Sequence, residues 1–285
     1  MTDAMPSYAG LKIMRSRTNP YCFPNLLEAF FVVVVLFFVE YLMNSVIGPI
    51  GREAGLQPMA GFSIGRVLAH GLAFTVLLHH SKLTYRDLFH DNPSSWATTI
   101  GLFALPILLL TPGLLMGMNL LLSVVVRFFP TGDWDWAQGA NDNFLAGGLG
   151  STVLVCLIAP IVEEMLFRGI FLRSFLRQYP PGTAIANSAA VFGLAHLNVY
   201  QFVVAFGIGL IIGKLYERTR SLLPGILLHA CYNTAVVFGV PRASPDASLT
   251  DWPASWWLAA LTSGGLGTWL LYKLIRTPAI AQQSR

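Results

Sequence analysis

Apolar runs long enough to cross a lipid bilayer recur along this chain from residue 26 almost to its end, and few charges interrupt them. A helix needs about 20 apolar residues to cross roughly 30 Å of hydrocarbon. Runs near that length fall at 26–48, 61–80, 97–127, 144–177, 183–198, 200–216, 222–240 and 255–274. They are continuous rather than alternating, and inside hydrocarbon a continuous apolar segment satisfies its backbone as a helix. The expectation is an all-α, polytopic transmembrane helix bundle of about eight spans. Composition supports it, since 54% of the 285 residues are hydrophobic and 11% are charged, against about 25% charged in soluble domains.

The first run, "LLEAFFVVVVLFFVEYLMNSVIG", exceeds a signal-peptide core and reads as an uncleaved first span. A net charge of +4 invites comparison with nucleic-acid binders, yet the basic residues never cluster with aromatics on one face, so no nucleic-acid partner is expected. They order the topology instead. Lys12, Arg15 and Arg17; Lys82 and Arg86; Arg168, Arg173 and Arg177; Lys214, Arg218 and Arg220; and Lys273 and Arg276 fall on one side of an eight-span arrangement. By the positive-inside rule that side is the cytoplasm, with both termini inside. Loops 128–143, with Asp133, Asp135 and Asp142, and 241–254, with Asp246 and Asp251, fall opposite. The fifth and sixth spans, joined by "LNVYQ", are short enough to form a re-entrant pair. Pro106, Pro112 and Gly113 predict a kink in 97–127. Cys22, Cys156 and Cys231 lie far apart and give no disulfide framework or thiolate metal pattern.

An ionisable group at mid-membrane costs at least ~2.5–3.5 kcal/mol on insertion scales, so each one needs a partner, an interfacial position or a function. Glu163, Glu164 and Arg168 form one such set. Glu164 precedes Arg168 by four residues, the favourable order for an intrahelical ion pair, while Glu163 points about 100° away into apolar surroundings. "QYPPG" at 178–182 predicts an antiparallel hairpin, which brings His196 to the depth of Glu163, about 20 Å from the turn at ~1.5 Å per residue. His229 and Asn233 share a face of the seventh span. A carboxylate base, two imidazoles and an amide suit hydrolysis of a peptide bond: Glu163 takes a proton from water with one histidine, while the other histidine and Asn233 hydrogen-bond the oxyanion. Taken singly, each residue reads equally well as packing. Glu28, Glu40, Arg66, His70 and Asn119 form a looser set, assigned to packing or to the lining of an entry rather than to catalysis.

The segments "EEMLFRG", "FGLAH" and "HACYN" resemble the EExxxR, FxxxH and HxxxN motifs of the CPBP family of intramembrane proteases, which includes CAAX prenyl endopeptidases and bacteriocin-processing or immunity proteins. Hydropathy alone places a cytoplasmic N-terminal segment (1–25), N-terminal transmembrane helices (26–143) and a last transmembrane helix with a short tail (241–285) around residues 144–240, to which the resemblance gives the role of catalytic helical core. The resemblance implies an eight-helix endopeptidase of a bacterial plasma membrane, acting on a peptide or membrane-protein substrate. Glu163 is then the water-activating base, Glu164 and Arg168 its supporting pair, and His196, His229 and Asn233 the remaining site residues. The cofactor stays open: Glu163, His196 and His229 are candidate ligands for a divalent metal such as zinc, although HExxH spacing is absent, and a glutamate mechanism without metal is the other possibility. A noncatalytic immunity or scaffold protein using the same cavity for binding is the alternative function. A proton-coupled transporter is disfavoured by the lack of an internal repeat.

Overall fold

The computed structural model describes residues 22–128, 148–238 and 253–277. Lys12, Arg15, Arg17 and the aspartates of the two acidic loops lie outside the described residues. Within them the chain is helical: α1 (Leu26–Glu53), α2 (Pro58–Ser81), a short α3 (Tyr85–Phe89), α4 (Trp96–Phe128), α5 (148–178), α6 (Pro181–Leu194), α7 (Val199–Thr219), α8 (Leu223–Phe238) and α9 (Ala254–Arg276). The apolar runs thus appear as helices with ends shifted by a few residues. Of these, α1, α2, α4 and α7 are long and apolar enough to cross a membrane. The outer face of α1 exposes Phe31, Val35 and Phe38, which in a bilayer meet lipid rather than water.

Local chemistry sets the helix ends. Asn25 and Glu28 form a reciprocal capping box at the start of α1, so Glu28 is a cap rather than a buried charge. Pro58 and Pro181 open α2 and α6, where a missing N–H costs nothing. Pro106 and Pro112 sit inside an unbroken α4, where the buried Thr111 hydroxyl donates to Ile107 O at 2.8 Å.

Two π-helical segments, Leu154–Ile158 and Met165–Leu172, interrupt α5 and flank an α-helical stretch, Ala159–Glu164. Segments of this kind concentrate at functional sites, because the extra residue per turn re-aims side chains. After the turn at Tyr179–Pro180, α6 runs back along α5. Ser188 donates to Phe167 O at 2.8 Å, and the Phe167 and Phe192 rings lie 4.9 Å apart. With 14 residues, α6 is only ~21 Å long, short of the ~30 Å core. It ends at Leu194 rather than near residue 198, and His196 stands on the turn that follows. Asn198 then caps α7, accepting from Tyr200 N at 2.9 Å and Gln201 N at 3.0 Å. A chain break below the membrane surface needs such satisfaction of its free N–H groups.

The basic connections gather at one end of the bundle. Asp91 N donates to Arg220 O and Leu222 N to Phe89 O, each at 2.9 Å. Arg173 reaches Asp87 O and the Asp91 carboxylate, and Gln178 donates to Cys22 O and Pro24 O. His90, buried here, bridges Ser221 and Ser94 O.

Candidate active site within the helix bundle

Five helices deliver the site, and its centre is the α-helical turn of α5 between the two π segments. Glu164, with 0% exposure, accepts from Arg168 Nη1 at 2.9 Å. This is the ion pair that the four-residue spacing predicts. Arg168 is also buried, lies over the Phe192 ring at 4.6 Å and donates to Gly209 O at 3.3 Å. Glycine at two positions makes room for the pair. A Cβ on Gly209 would stand 3.1 Å from Arg168 Nη2, and one on Gly225 would stand 2.7 Å from the Ile212 side chain and 3.4 Å from Glu164 Oε2.

Glu164 has a second partner. His229 Nδ1 lies 2.9 Å from Glu164 Oε1, and since a carboxylate only accepts, Nδ1 carries the proton and donates. The opposite ring nitrogen, Nε2, lies 3.8 Å from Glu163 Oε2. One imidazole therefore spans both glutamates although they leave the helix in different directions. His196 Nδ1 donates to Phe192 O at 2.9 Å, which leaves Nε2 as the ring's acceptor in its neutral form. The Phe192 ring stands edge-on to both histidines, 5.0 Å from His196 and 5.6 Å from His229. His196, His229, Arg66 and His70 all lie within electrostatic reach of Glu163.

Three placements depart from the sequence reading. Glu163 turns away from Arg168 as expected, but it is not clear of arginine, because Arg66 Nη2 on α2 donates to its Oε1 at 3.0 Å. Arg66, Glu40 and His70 are thus joined to the site rather than scattered in packing: Arg66 Nε lies 3.7 Å and His70 Nδ1 3.2 Å from Glu40 Oε1. Asn119, by contrast, only bonds back to Leu115 O on its own helix. Asn233 sends Nδ2 to Val155 O at 2.9 Å, into the first π segment, rather than toward the glutamates.

Among the described residues no three His, Cys, Asp or Glu side chains are grouped to hold a metal ion. Glu163 Oε1 already faces a guanidinium and His229 Nδ1 is taken by Glu164. As placed, Glu163, His196 and His229 are not grouped to hold one ion, and no step below runs through a metal.

Residues 146–235 match the family described as Type II CAAX prenyl endopeptidase Rce1-like. "UPF0177 protein YbdI" of Lactococcus lactis subsp. lactis (strain IL1403) is 28% identical over 129 residues, 44% of this chain and 69% of that protein. "Putative membrane peptidase YdiL" of Bacillus subtilis (strain 168) is 27% identical over 85 residues, 30% of this chain and 35% of that protein, so the match spans about a third of the relative's length. No solved structure matches the chain at a significant level. The EExxxR, FxxxH and HxxxN residues all fall inside the matched segment, and over residues 146–235 the helical core is similar to the CPBP family of membrane peptidases.

Proposed function

We propose that the chain is an intramembrane endopeptidase that hydrolyses a peptide bond with water activated by Glu163. The observation that carries this reading is the His229 imidazole held between two carboxylates, 2.9 Å from Glu164 and 3.8 Å from Glu163. A carboxylate bonded to one ring nitrogen aims the other nitrogen and stabilises the imidazolium form, as the orienting acid does in hydrolytic triads. Glu164 is that orienting group here, and Arg168 acts through it.

In the proposed reaction Glu163 Oε2 accepts a proton from water as the water oxygen attacks the peptide carbonyl carbon. The carbonyl electron pair moves to oxygen, and His229, in its imidazolium form, donates from Nε2 to the resulting oxyanion. When the tetrahedral species collapses, the C–N bond breaks and the leaving nitrogen takes the proton held by Glu163. His196, with Nε2 as acceptor, suits the second hydrogen of the water. Asn233 contributes through the helix: its bond to Val155 O holds the π segment that precedes Glu163. The substrate is a peptide or protein segment presented at the end of the bundle where Arg86, Arg173 and Arg220 gather, the cytoplasmic end by the positive-inside rule. Processing of a CAAX-type C-terminus, or removal of a leader or tail, fits this placement in a bacterial plasma membrane.

The test is cleavage of a panel of fluorogenic peptides, prenylated and unprenylated, by the detergent-purified protein and its Glu163→Gln variant, with and without a chelator. General-base contributions of about 10²–10⁴-fold predict a loss of at least ~100-fold in kcat for the variant. A well-folded variant that cleaves at the wild-type rate would sink the proposal. The chelator arm decides whether a metal takes part.

A further inference from the structure

The proposed chemistry uses one oxygen of Glu163. The other, Oε1, accepts from Arg66 Nη2 at 3.0 Å, across 97 residues of sequence. Arg66 lies on α2, outside the segment that carries the family match, and is itself held from behind. Glu40 Oε1 on α1 stands 3.7 Å from its Nε, and His70, one turn along α2, places Nδ1 3.2 Å from the same Glu40 oxygen and 3.0 Å from Arg66 O. The Arg66 Nε is buried and makes no hydrogen bond, so the short bond to Glu163 is the directional one. The Glu40, His70 and Glu163 side chains are 13%, 4% and 12% exposed. Side chains so enclosed hold their geometry, whereas the terminal torsion of a free glutamate is broad.

We propose that Arg66 is a positioning residue for Glu163, with Glu40 and His70 holding it in place. Pinning Oε1 leaves Oε2 directed at His229 and free to take the proton of the attacking water. The ionisable groups then form an ordered row, Glu40, Arg66, Glu163, His229, Glu164 and Arg168, that runs from α1 through α2 into α5 and α8. The N-terminal helices thereby become part of the catalytic apparatus rather than a membrane anchor for it. The guanidinium's planar fork matters, since lysine would keep the charge but not the direction of the bond.

This inference rests on the proteolytic reading, and its test separates the two. With a fluorogenic peptide that the wild type cleaves, Arg66→Met should lower kcat about 10- to 100-fold with KM within about twofold, as expected when a reacting group is displaced by about 1 Å. Arg66→Lys should recover part of that loss. Unchanged kcat in Arg66→Met overturns the inference while leaving the proteolytic reading intact. So does a loss that Arg66→Lys does not relieve and that follows the fall in melting temperature. The second measurement needs no activity: melting temperatures of wild type, Arg66→Met, Glu163→Gln and the double variant. A direct pair predicts non-additive shifts, by about 2–4 °C for a chain of this size. Additive shifts overturn the inference even if no peptide in the panel is cleaved.

Discussion

Asn233 and Pro160 should be energetically coupled through one backbone carbonyl, that of Val155. In the first π segment Ala159 N–H reaches back five residues to Leu154 O. The next bond in that register would run from residue 160 to Val155 O, but residue 160 is proline and has no N–H. Asn233 Nδ2 donates to that carbonyl at 2.9 Å from α8. Removing the amide orphans a carbonyl, which costs about 1–3 kcal/mol when buried, while side-chain hydrogen bonds within membranes average ≈ 0.6 with a maximum near 1.7. With Asn233 half-buried, Asn233→Ala should cost about 1 kcal/mol. In a Pro160→Ala background the new N–H can serve Val155 O, and the same change should cost only a few tenths. The assay is reversible unfolding in mixed detergent micelles for the four members of the cycle. A coupling of about 1 kcal/mol is expected, and additivity within ~0.3 kcal/mol would refute the reasoning, placing the value of Asn233 elsewhere.

Other positions give equally direct outcomes. Gly225→Ala puts a methyl 2.7 Å from Ile212 and 3.4 Å from Glu164 Oε2, and should destabilise the protein by about 1–3 kcal/mol of overpacking, read as a lower melting temperature with reduced cleavage. Arg168→Met strands the fully buried Glu164 and should cost about 3–5 kcal/mol, whereas Glu164→Leu with Arg168→Met should recover much of the stability but no activity; melting and cleavage assays on both separate charge burial from catalysis. Outside the membrane, hydrogen bonds from the Thr84 hydroxyl and backbone hold the Asp87 carboxyl below the usual carboxylate range. A depressed folded value means the cap is present above the unfolded value of about 3.9 and is lost as pH falls through the folded one. Protection from hydrogen exchange of the Thr84 amide, which donates to the Asp87 carboxylate, should therefore persist below about pH 3.9, and loss at a higher pH would contradict the cap.

What the sequence disclosed follows physical range. The Glu164 and Arg168 pair is a matter of one helical turn, and the hairpin at "QYPPG" is a matter of local turn chemistry, so both were legible, as was the approach of His196 to the depth of Glu163. Arg66 meeting Glu163 depends on the rotation of α2 about its axis against α5, which no periodicity encodes. The π segments have the same hydropathy as α-helix, and only Pro160 hinted that a carbonyl nearby would need an outside donor. The approach of α7 and α8 to the ion pair was written in Gly209 and Gly225, and the Gly209 to Gly213 spacing on α7 is the kind of small-residue signal that marks close helix contact. The two glutamates were assigned to separate partners by their 100° offset, yet the width of one imidazole is enough to span that offset.

The shortness of α6 fixes how far a polypeptide must travel. Its 14 residues lift the turn that bears His196 about 21 Å above the hairpin at Tyr179–Pro180. An extended chain covers at most ~3.3–3.6 Å per residue. On the proposed proteolytic reading, a substrate segment entering from that end would thread about six extended residues before a bond came level with Glu163. On that reading a folded domain closer than that to the bond would stall at the rim, and the bundle would measure the length of slack tail on its substrate before any side chain is inspected.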